Sequence, residues 1–430
     1  MKILLSEAGS IHNKGDAAIF FTIYKSLKEK FPDAEFTAVA DEPEQSKKLY
    51  GIRAGYAPYA LPYKGKRWID TLWKAIRFFF WAIFYHINKR FANLFLKKAE
   101  RESIKYYEDA DIVISAGGNA LTDDYIGTLY FFLEIWWITM VILRKPLIVY
   151  AYSVGPFKYR TYKMLARHVL NKVDMFTLRE DFSKDVLKDL KVTKPRIVVA
   201  ADSAFLFWNA NETRAKEILR KEGISKLKRP LLGISVREWN FRGHSDPSGK
   251  YTNYKIAVAA AADHAIEKLG ANVVFLSTCF RGGKDNYTDD SLAADDIIKL
   301  MKHGEKAYVF RTEYNPDEIK AVIGQMDMFI GTRAHSTIFA TTMGVPTIGL
   351  AYEFKTHGFL KLMGIEKYAH YMKDVDKNKL VDALDDLWKN RIEIRKTLKK
   401  NLPIVRQRAN ISAIATKKYI EDNYENTRAK

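Results

Sequence analysis

Short runs of apolar residues recur along the first half of the chain, and most are followed by a loop that holds glycine, asparagine, aspartate or serine. Such runs, separated by helical stretches, are typical of buried parallel strands in a doubly wound α/β domain. The pattern predicts strands at residues 2–6, 36–40, 112–115, 147–151, 175–178 and 197–200.

A second series of apolar runs begins after Lys228-Arg229-Pro230 and predicts strands at residues 231–236, 273–277, 307–310, 328–330 and 347–350. We therefore predict an α/β fold with two Rossmann-like domains that face a central cleft, where loops of both domains bind ligands. The predicted domains cover residues 1–210 and 211–390. Residues 391–430 are expected to form helices, broken at Pro403, that pack back across the domains.

Residues 64–101 combine positive charge with many aromatic side chains. The whole chain has 70 Lys and Arg against 51 Asp and Glu, and this segment alone carries ten basic residues and two acids. On one continuous helix, an apolar face would lie beside a polar stripe that Trp81 and Tyr85 interrupt. The apolar face comprises Ile69, Trp73, Ile76, Phe80, Phe84, Ile87 and Phe91, and the polar stripe comprises Arg67, Asp70, Lys74, Arg77 and Asn88.

This helical insertion suits a surface position on an anionic membrane, because its uncharged run from Phe78 to Asn88 is too short to cross a bilayer. A core helix or an oligomer helix with a basic flank is the alternative. A second apolar stretch, residues 125–143, is followed by a predicted strand and is therefore expected to be a buried helix. The N-terminus resembles a first strand rather than an export signal, and Cys279 is the only cysteine. We expect a cytoplasmic protein, peripherally associated with the inner face of the cell membrane.

Three loops of the first half contain residues suited to binding. Asn13, Gly15 and Asp16 open a helix after the first strand, without the Gly-x-Gly-x-x-Gly pattern of dinucleotide sites. Gly117 and Gly118, followed by Asn119 and Asp123, could direct backbone N–H groups at an anion, although tight turns use the same pair. Arg179 ends a later strand beside two acids, where a structural ion pair and a ligand contact are equally good interpretations.

The second half contains the densest group of candidate residues. Arg333 and His335 lie in the turn after a predicted strand, and Ser336 begins the following helix. Tyr352, Glu353 and Lys355 follow the next strand, while Arg237 ends the first strand of this half. Because parallel strands end at one edge of their sheet, these cations are expected to form a pocket for a doubly anionic ligand.

Seven motifs in this order resemble the polysaccharide pyruvyltransferase family. They are Asn-x-Gly-Asp-Ala, Ser-x-Gly-Gly-Asn, Ser-x-Gly-Pro, Arg-Glu-Asp-x-Ser, Ala-Asp-Ser-Ala-Phe, Gly-Ile-Ser-Val-Arg, and Gly-Thr-Arg-Ala-His-Ser followed by Gly-Val-Pro and Tyr-Glu-x-Lys. The resemblance covers residues 1 to about 365. It implies a GT-B-like fold and transfer of the enolpyruvyl skeleton of phosphoenolpyruvate onto a sugar as a ketal. The insertion at residues 64–101 departs from the family pattern.

The resemblance also implies roles for the candidate residues. Arg333 and Lys355 would bind the donor anions with support from Arg237, and the block around them adds Ser336 and Glu353. His335 would perform acid–base chemistry, with Asp16 as a second catalytic candidate on the acceptor side. The other acceptor candidates are Asn13, Gly15, Gly117, Gly118, Asn119, Asp123 and Arg179.

Two other functions remain open from the sequence. A GT-B glycosyltransferase would place the diphosphate of a nucleotide sugar on Arg333 and the helix at Ser336. A nucleic-acid-binding protein is favoured only by the net charge of +19 and is the weakest interpretation. No metal or cofactor is predicted. The expected partners are phosphoenolpyruvate, a saccharide acceptor, which could be lipid-linked, and an anionic membrane surface, and a homo-oligomer is left open.

Overall fold

The computed structural model describes the chain apart from residues 59–66, 119, 124–132, 134, 242–243, 281–288, 353 and 426–430. The chain divides into two compact units. The first unit contains Met1–Ile11, Ile19–Asp202 and Asn410–Lys430, and the second contains His12–Ala18 and Ser203–Ala409. Residues His12–Ala18 thus belong to the second unit, although they lie near the start of the chain.

The first unit is built on a parallel sheet of seven strands. These are β1 Lys2–Ala8, β2 Glu35–Ala40, β3 Arg53–Tyr56, β4 Ile112–Ala116, β5 Leu147–Tyr152, β6 Met175–Leu178 and β7 Arg196–Val199. Their order is β3-β2-β1-β4-β5-β6-β7. The predicted strands are confirmed, whereas β3 was not predicted because its four residues, Arg-Ala-Gly-Tyr, form no apolar run.

The second unit is built on a parallel sheet of six strands. They are β8 Leu231–Ser235, β9 Asn272–Leu276, β10 Ala307–Phe310, β11 Met328–Gly331, β12 Thr347–Ala351 and β13 Ala369–Tyr371. Their order, β10-β9-β8-β11-β12-β13, repeats that of the first sheet and confirms two Rossmann-like units. The strand order reverses beside β1 and β4 in one sheet and beside β8 and β11 in the other. Ligands of such sheets bind outside the carboxyl ends of the strands at these switch points.

Helices connect the strands of both sheets. Those before β8 are α1 Lys14–Lys30, α2 Pro43–Tyr50, α3 Arg67–Tyr85, α4 Lys89–Ala92, α5 Lys98–Asp109, α6 Arg160–Leu170, α7 Asp181–Asp189 and α8 Glu212–Lys221. Those after β8 are α9 Pro247–Leu269, α10 Asp290–Ile298, α11 Pro316–Ile323, α12 Ala334–Thr342, α13 Lys355–Leu362, α14 Lys377–Lys389 and α15 Arg391–Ile420. Short 3-10 turns span Ser203–Leu206, Ile224–Lys226, Gly304–Lys306 and Glu366–Tyr368, and π-helical turns span Ile138–Ile142 and Glu421–Glu425.

The predicted break at Pro403 is wrong, because α15 continues through this residue. Proline removes one backbone donor and crowds one carbonyl group, which a long helix with neighbouring contacts can tolerate. The prediction of a buried helix at residues 125–143 is confirmed for its described part. There Leu133, Ile135, Trp136 and Ile138 are helical or π-helical and buried. Among the described helices, none is both long enough and apolar enough to span a membrane.

The continuous helix predicted through Phe91 is also wrong, because α3 ends at Tyr85. The side chain of Asn88 accepts a hydrogen bond of 3.0 Å from the Phe91 backbone N–H and begins the separate helix α4. After the turn between α3 and α4, the Phe91 and Phe95 rings pack on the Phe84 ring, at centroid distances of 5.0 and 5.6 Å. Ile87 and Phe91 therefore do not extend the apolar face of α3.

Helix α3 packs against the protein with the side that carries Lys74 and Arg77, the described side chains of its predicted polar stripe. Lys74 is buried and donates to the Pro58 carbonyl oxygen, while Arg77 donates to the Glu100 carboxylate. On the same side of α3, Trp81 is completely buried in the core of the first unit. On the predicted apolar face, Trp73 and Phe80 are exposed, at 58% and 41%. The apolar face therefore points largely away from the core.

Candidate functional site

The carboxyl edge of the second sheet holds the turn that joins β11 to α12. Ser336 is fully buried, and its hydroxyl donates to the Arg333 carbonyl oxygen at 2.7 Å. The Ser235 hydroxyl, at the end of β8, bonds the Ser336 hydroxyl in turn. These contacts tie the turn to the neighbouring strand, so Ser336 holds the backbone that carries Arg333 and His335.

Arg333 forms a buried ion pair with Asp290, a residue that the sequence analysis did not select. Its Nε and Nη2 atoms donate to Asp290 Oδ1 at 2.9 and 2.6 Å. The other carboxylate oxygen of Asp290 accepts the backbone N–H groups of Thr278 and Cys279, at 3.0 and 2.9 Å. Asp290 therefore orients the guanidinium group against the loop after β9.

Arg333 keeps its positive charge despite its burial, whereas burial raises the pKa of its partner Asp290. Burial alone lowers the pKa of Arg333, but the attraction of Asp290 outweighs it, and the pKa of the guanidinium group is raised. Cys279, beside the pair, behaves differently, because burial raises the pKa of its thiol to about 12. The side chain that carries charge here is therefore Arg333, and Cys279 is a neutral thiol.

The segment from His12 to Asp16 joins this site through a backbone bridge. Asn13 pairs with Cys279 in an antiparallel bridge, in which Lys14 N–H donates to the Thr278 carbonyl oxygen at 2.9 Å. Asn13 also donates from its side chain to Asp16 at 2.7 Å. The structure thus brings Asn13, Gly15 and Asp16 into the unit that contains Arg333.

Gly15 lies against the imidazole ring of His335. A Cβ atom at Gly15 would lie only 2.2 Å from His335 Nδ1, well inside any real contact distance. The absence of a side chain at this position therefore provides the space that the ring occupies. This contact explains why a glycine is needed within the first turn of α1, where it otherwise weakens a helix.

Lys14 is a further candidate that the sequence analysis missed. Its ammonium group pairs with Glu313, which also bonds His12 Nδ1 at 2.9 Å. Lys14 is buried, and this burial lowers its pKa, which the Glu313 carboxylate opposes. The sequence signal that could have identified Lys14 was the presence of a basic residue inside the Asn-x-Gly-Asp motif.

Arg237 and Lys355 both lie against Tyr352, at the ends of β8 and β12. The Arg237 guanidinium carbon is 4.2 Å from the centre of the Tyr352 ring and 4.7 Å from that of Trp239. Lys355 Nζ is 5.7 Å from the Tyr352 ring centre. Cation–π attraction to these rings helps to hold both cations in place. Glu353, the other residue predicted here, lies outside the described residues.

The carboxyl edge of the first sheet holds a buried acid that the sequence analysis also missed. Glu7, near the end of β1, accepts hydrogen bonds of 2.7 Å from Ser115 Oγ and from Trp136 Nε1. Tyr152 OH donates to it at 3.4 Å. Burial raises the pKa of Glu7 from 4.5 to about 7, although these hydrogen bonds oppose the shift. The sequence signal for this residue was an acid close after the apolar run Ile3-Leu4-Leu5.

Arg179 reaches the glycine loop of the same edge. Its Nη1 atom pairs with Asp202 at 3.1 Å, and its Nε atom donates to the Ala151 carbonyl oxygen. Its Nη2 atom is buried and finds no hydrogen-bond partner among the described residues. A Cβ atom on Gly117 would lie 3.3 Å from this nitrogen, and Gly117 has a positive φ of 59°. Arg179 therefore forms a structural ion pair and also directs a donor toward the loop.

The remaining acceptor candidates of this edge differ in what they contact. Gly118 lies against Tyr152, since a Cβ atom there would be 2.9 Å from the tyrosine oxygen. Asp123 is buried and accepts the backbone N–H groups of Lys158 and Tyr159, the latter at 2.8 Å. Asp123 thus orders a loop, and Asn119 lies outside the described residues. No group of three or more His, Cys, Asp or Glu side chains in the described part of the chain could hold a metal ion.

The motifs at the carboxyl edges of the two sheets also identify the family of this chain. The sequence profile of the polysaccharide pyruvyl transferase family matches residues 13–353. The chain belongs to this family. The match extends from Asn13, which bridges to Cys279, to Glu353, two residues before Lys355. This pyruvyl transferase family member is accordingly a transferase of glycan biosynthesis.

A curated relative agrees with that assignment. The amylovoran biosynthesis protein AmsJ of Erwinia amylovora is 27% identical over 405 residues, which cover 92% of this chain and 94% of AmsJ.

Solved structures share the fold. Anabaena Alr3699/HepE in complex with UDP-glucose matches with a TM-score of 0.60 at 12% identity, over 97% of this chain and 99% of that chain. A putative UDP-N-acetylglucosamine 2-epimerase from Listeria monocytogenes matches with a TM-score of 0.61 at 12% identity, over 99% and 97%. At these identities the similarity establishes the GT-B-type fold of the pyruvyl transferase family member.

The buried acid predicts a pH-dependent stability. Folded protein keeps the proton of Glu7 up to about pH 7, whereas the unfolded chain loses it near the ordinary value of 4.5, so Glu7 costs stability progressively as pH rises between these values. Glu7→Gln should therefore reduce the loss of unfolding free energy between about pH 5 and about pH 8 by roughly 2 kcal/mol. Urea unfolding at both pH values measures this change. Glu102→Gln, at an exposed site of the same unit, is the control. An equal change in unfolding free energy between the two pH values in both variants would contradict the prediction.

Proposed function

We propose that this protein transfers a pyruvyl group from phosphoenolpyruvate to a pair of hydroxyl groups on a cell-surface or lipid-linked glycan. The observation that carries the proposal is the Arg333 guanidinium group, oriented by Asp290 in the turn that also carries His335. Family membership supports transfer to a polysaccharide, and this turn supplies the charge and the acid–base group that an anionic donor needs.

The donor carries a phosphate and a carboxylate, which call for more than one cation. Arg333 would bind one anionic group through its planar guanidinium, with the amino end of α12 beside it. Arg237 and Lys355, held against Tyr352, would contact the other. Ser336 supports the turn through its hydrogen bond to the Arg333 carbonyl oxygen. The Glu353 carboxylate would offset part of the positive charge of these three cations.

His335 would act as the general acid. Its imidazolium form would donate a proton to the methylene carbon of phosphoenolpyruvate, so that the adjacent carbon gains oxocarbenium character. A first sugar hydroxyl then adds to this carbon and gives up its proton to a base, for which Asp16 is the candidate. Inorganic phosphate then leaves with the proton that Asp16 took up, the second hydroxyl adds to the same carbon and closes the ketal, and its proton returns to the His335 base.

Each unit contains its own candidates for contact with the acceptor. Asn13, Gly15 and Asp16 belong to the second unit, and Gly117, Gly118, Asn119, Asp123 and Arg179 belong to the first. In the first unit, the buried Nη2 atom of Arg179 and the backbone of Gly117 are the groups best suited to contact sugar oxygens.

A direct test compares donors. Purified protein is warmed with phosphoenolpyruvate or with nucleotide sugars, and the melting temperature is recorded. We expect phosphoenolpyruvate to raise it and to release phosphate when a suitable saccharide is added. A nucleotide sugar that raises the melting temperature, with no effect of phosphoenolpyruvate, would instead support a GT-B glycosyltransferase, since Arg333 and α12 would also fit a diphosphate.

Activity should survive chelation of metal ions. The proposed donor charges are balanced by Arg333, Arg237 and Lys355, so neither a divalent cation nor an organic cofactor is needed. We expect the same turnover, within about twofold, before and after EDTA treatment. Complete loss of phosphate release in EDTA, restored by magnesium, would contradict this prediction.

We further propose that α3, α4 and the loop after them dock on an anionic membrane surface. Their exposed apolar residues form an aromatic patch, which comprises Trp73, Phe79, Phe80, Ile83, Ile87, Phe91 and Leu94. Arg90, Lys97 and Lys98 are exposed within or beside these elements. Apolar side chains flanked by cations are typical of segments that lie in the headgroup region, where each cation adds about 1 kcal/mol. This position would bring the protein to the inner face of the cell membrane, close to lipid-linked acceptors.

The membrane proposal predicts co-flotation with anionic vesicles. Phe79→Ser combined with Phe80→Ser should weaken binding by about tenfold or more, because each ring loses its burial in the bilayer interface. Flotation at low ionic strength measures the bound fraction, and high salt alone should release only part of it. Ile404→Ser combined with Ile414→Ser is the control, since both side chains are exposed on α15. If the wild-type protein does not float, the patch contacts protein instead, either in the core of a larger assembly or in a homo-oligomer.

A further inference from the structure

The amino edge of the second sheet contains a basin with three arginines. The basin has a volume of about 400 Å³, which is within the range of small-molecule sites. It is lined by Arg229, Gly324, Gln325, Met326, Asp327, Trp388, Arg391, Ile392 and Arg395. Arg229 precedes β8 and Asp327 precedes β11, so the basin lies at the end of the sheet opposite to Arg333. Strands of four or five residues separate the two edges by roughly 13–17 Å.

Contacts with backbone carbonyl groups hold all three guanidinium groups in place. Arg229 donates to the Gln325 carbonyl oxygen at 3.0 Å, and Arg395 donates to that of Asp327 at 3.1 Å. Arg391 donates to the Trp388 carbonyl oxygen at 2.7 Å and stacks on the Trp388 ring, 3.9 Å from its centre. Each contact uses only part of the five-donor fork of an arginine. The remaining donors are therefore arranged before a ligand arrives.

The acid in the basin balances only one of these cations. Asp327 Oδ1 pairs with Arg229 at 2.6 Å, and Asp327 Oδ2 accepts the backbone N–H of Leu231 at 2.8 Å. The carboxylate is thus bound to Arg229 and to the start of β8. The hydrogen bonds of Arg391 and Arg395 go instead to the carbonyl oxygens of Trp388 and Asp327. Burial lowers the pKa of Arg395, and the nearby Arg229 and Arg391 charges lower it further, against the effect of Asp327. The basin therefore holds excess positive charge.

We propose that this basin is a second anion site, which binds the phosphate group of a small soluble ligand. Planar guanidinium groups bind phosphate oxygens with two parallel hydrogen bonds. Arg391 and Arg395 lie four residues apart on α15 and are therefore neighbours on one face of this helix, so one diphosphate can contact both. The amino end of α15 lines the same basin and adds the favourable end of a helix dipole. The site does not share residues with the turn around Arg333, so it is independent of the donor site proposed above.

Isothermal titration of the full-length protein with pyrophosphate tests this site. Arg391→Gln combined with Arg395→Gln should weaken binding at least about tenfold, since two charged donors are removed while the Arg229–Asp327 pair at the strand ends is kept. Arg214→Gln is the matched control, because Arg214 is also an exposed arginine of this unit that pairs with an acid, Glu318. Circular dichroism and the melting temperature establish that each variant is folded, and Arg391→Lys provides a milder variant that keeps the charge but loses the planar fork.

The titration separates this site from the candidate donor site. Arg333→Gln should still bind pyrophosphate at the basin, whatever the outcome for phosphoenolpyruvate transfer. A parallel titration with glucose 1-phosphate distinguishes the source of the phosphate, because tighter binding of this ester than of pyrophosphate assigns the site to a sugar phosphate. Equal pyrophosphate affinity in the wild type and in the Arg391/Arg395 double variant would overturn the proposal. Complete loss of binding in Arg333→Gln would overturn it as well.

Discussion

Replacing His335 with alanine is expected to lower kcat by about 10²–10⁴-fold while the affinity for phosphoenolpyruvate stays nearly unchanged. The imidazole group would supply a proton in the transition state and contribute little to holding the donor. Arg333→Ala should have the opposite pattern and abolish measurable donor binding. The loss has two causes, because the donor anion loses its planar partner and Asp290 is left as a buried carboxylate without its guanidinium group.

Titration calorimetry with phosphoenolpyruvate and phosphate-release kinetics separate the two effects. Arg333→Lys is the useful companion variant, since it keeps a positive charge for Asp290 but not the fork that binds two oxygens. Arg311→Ala, which removes an exposed arginine paired with Asp295 in the same unit, is the control. Equal donor affinity in the wild type and in Arg333→Ala would remove Arg333 from the donor site.

Gly15→Ala should lower activity by about 10²-fold even though alanine favours a helix. The new methyl group would start 2.2 Å from His335 Nδ1, so the imidazole ring must move. A displacement of about 1 Å at a catalytic group commonly costs a factor of this size, or ~3 kcal/mol. Because alanine stabilises a helix by roughly 1 kcal/mol relative to glycine, global unfolding is not the expected cause.

A double-mutant cycle tests this contact. In the His335→Ala background the ring is gone, and Gly15→Ala should then have almost no further effect on turnover. The cycle needs kcat for four proteins and the melting temperature of each as a check on folding. If the losses from the two substitutions multiply, Gly15 acts independently of His335, and the contact does not explain the glycine.

Much of the architecture could be predicted because it depends on local patterns. Runs such as Ile3-Leu4-Leu5 are fully buried in β1, as expected for a parallel strand covered on both faces. The turn with Arg333 and His335 follows β11, where a strand-to-helix connection of a Rossmann-like unit brings candidate ligand-binding groups. The errors in predicting strands and helices also have local causes. The short edge strands β3 and β13 lack an apolar run of useful length, and the cap at Asn88 interrupts a helical period that continues on either side.

The orientation of α3 shows where a correct pattern is insufficient. Its sequence contains an apolar face and a polar stripe, and an amphipathic helix of a globular protein normally buries the apolar face. Here Lys74 and Arg77 find partners at Pro58 and Glu100, so the polar stripe can face the protein. These partners lie 16 and 23 residues from their donors and follow no helical period. Only the folded unit determines which face remains exposed.

The sequence by itself determined the two parallel sheets, the family and the positions of Arg333, His335 and Lys355, because buried strands and strand-to-helix turns leave short-range patterns. The tertiary structure alone decided the partners of these residues. Asp290 reaches Arg333 across 43 positions, and Asn13, near the start of the chain, pairs with Cys279 in its second half. Such contacts depend on which loops the strand order places side by side, and their stability comes from burial and charge pairing rather than from local propensity. The need for a glycine at position 15 has the same origin, since only the folded chain brings the His335 ring against it.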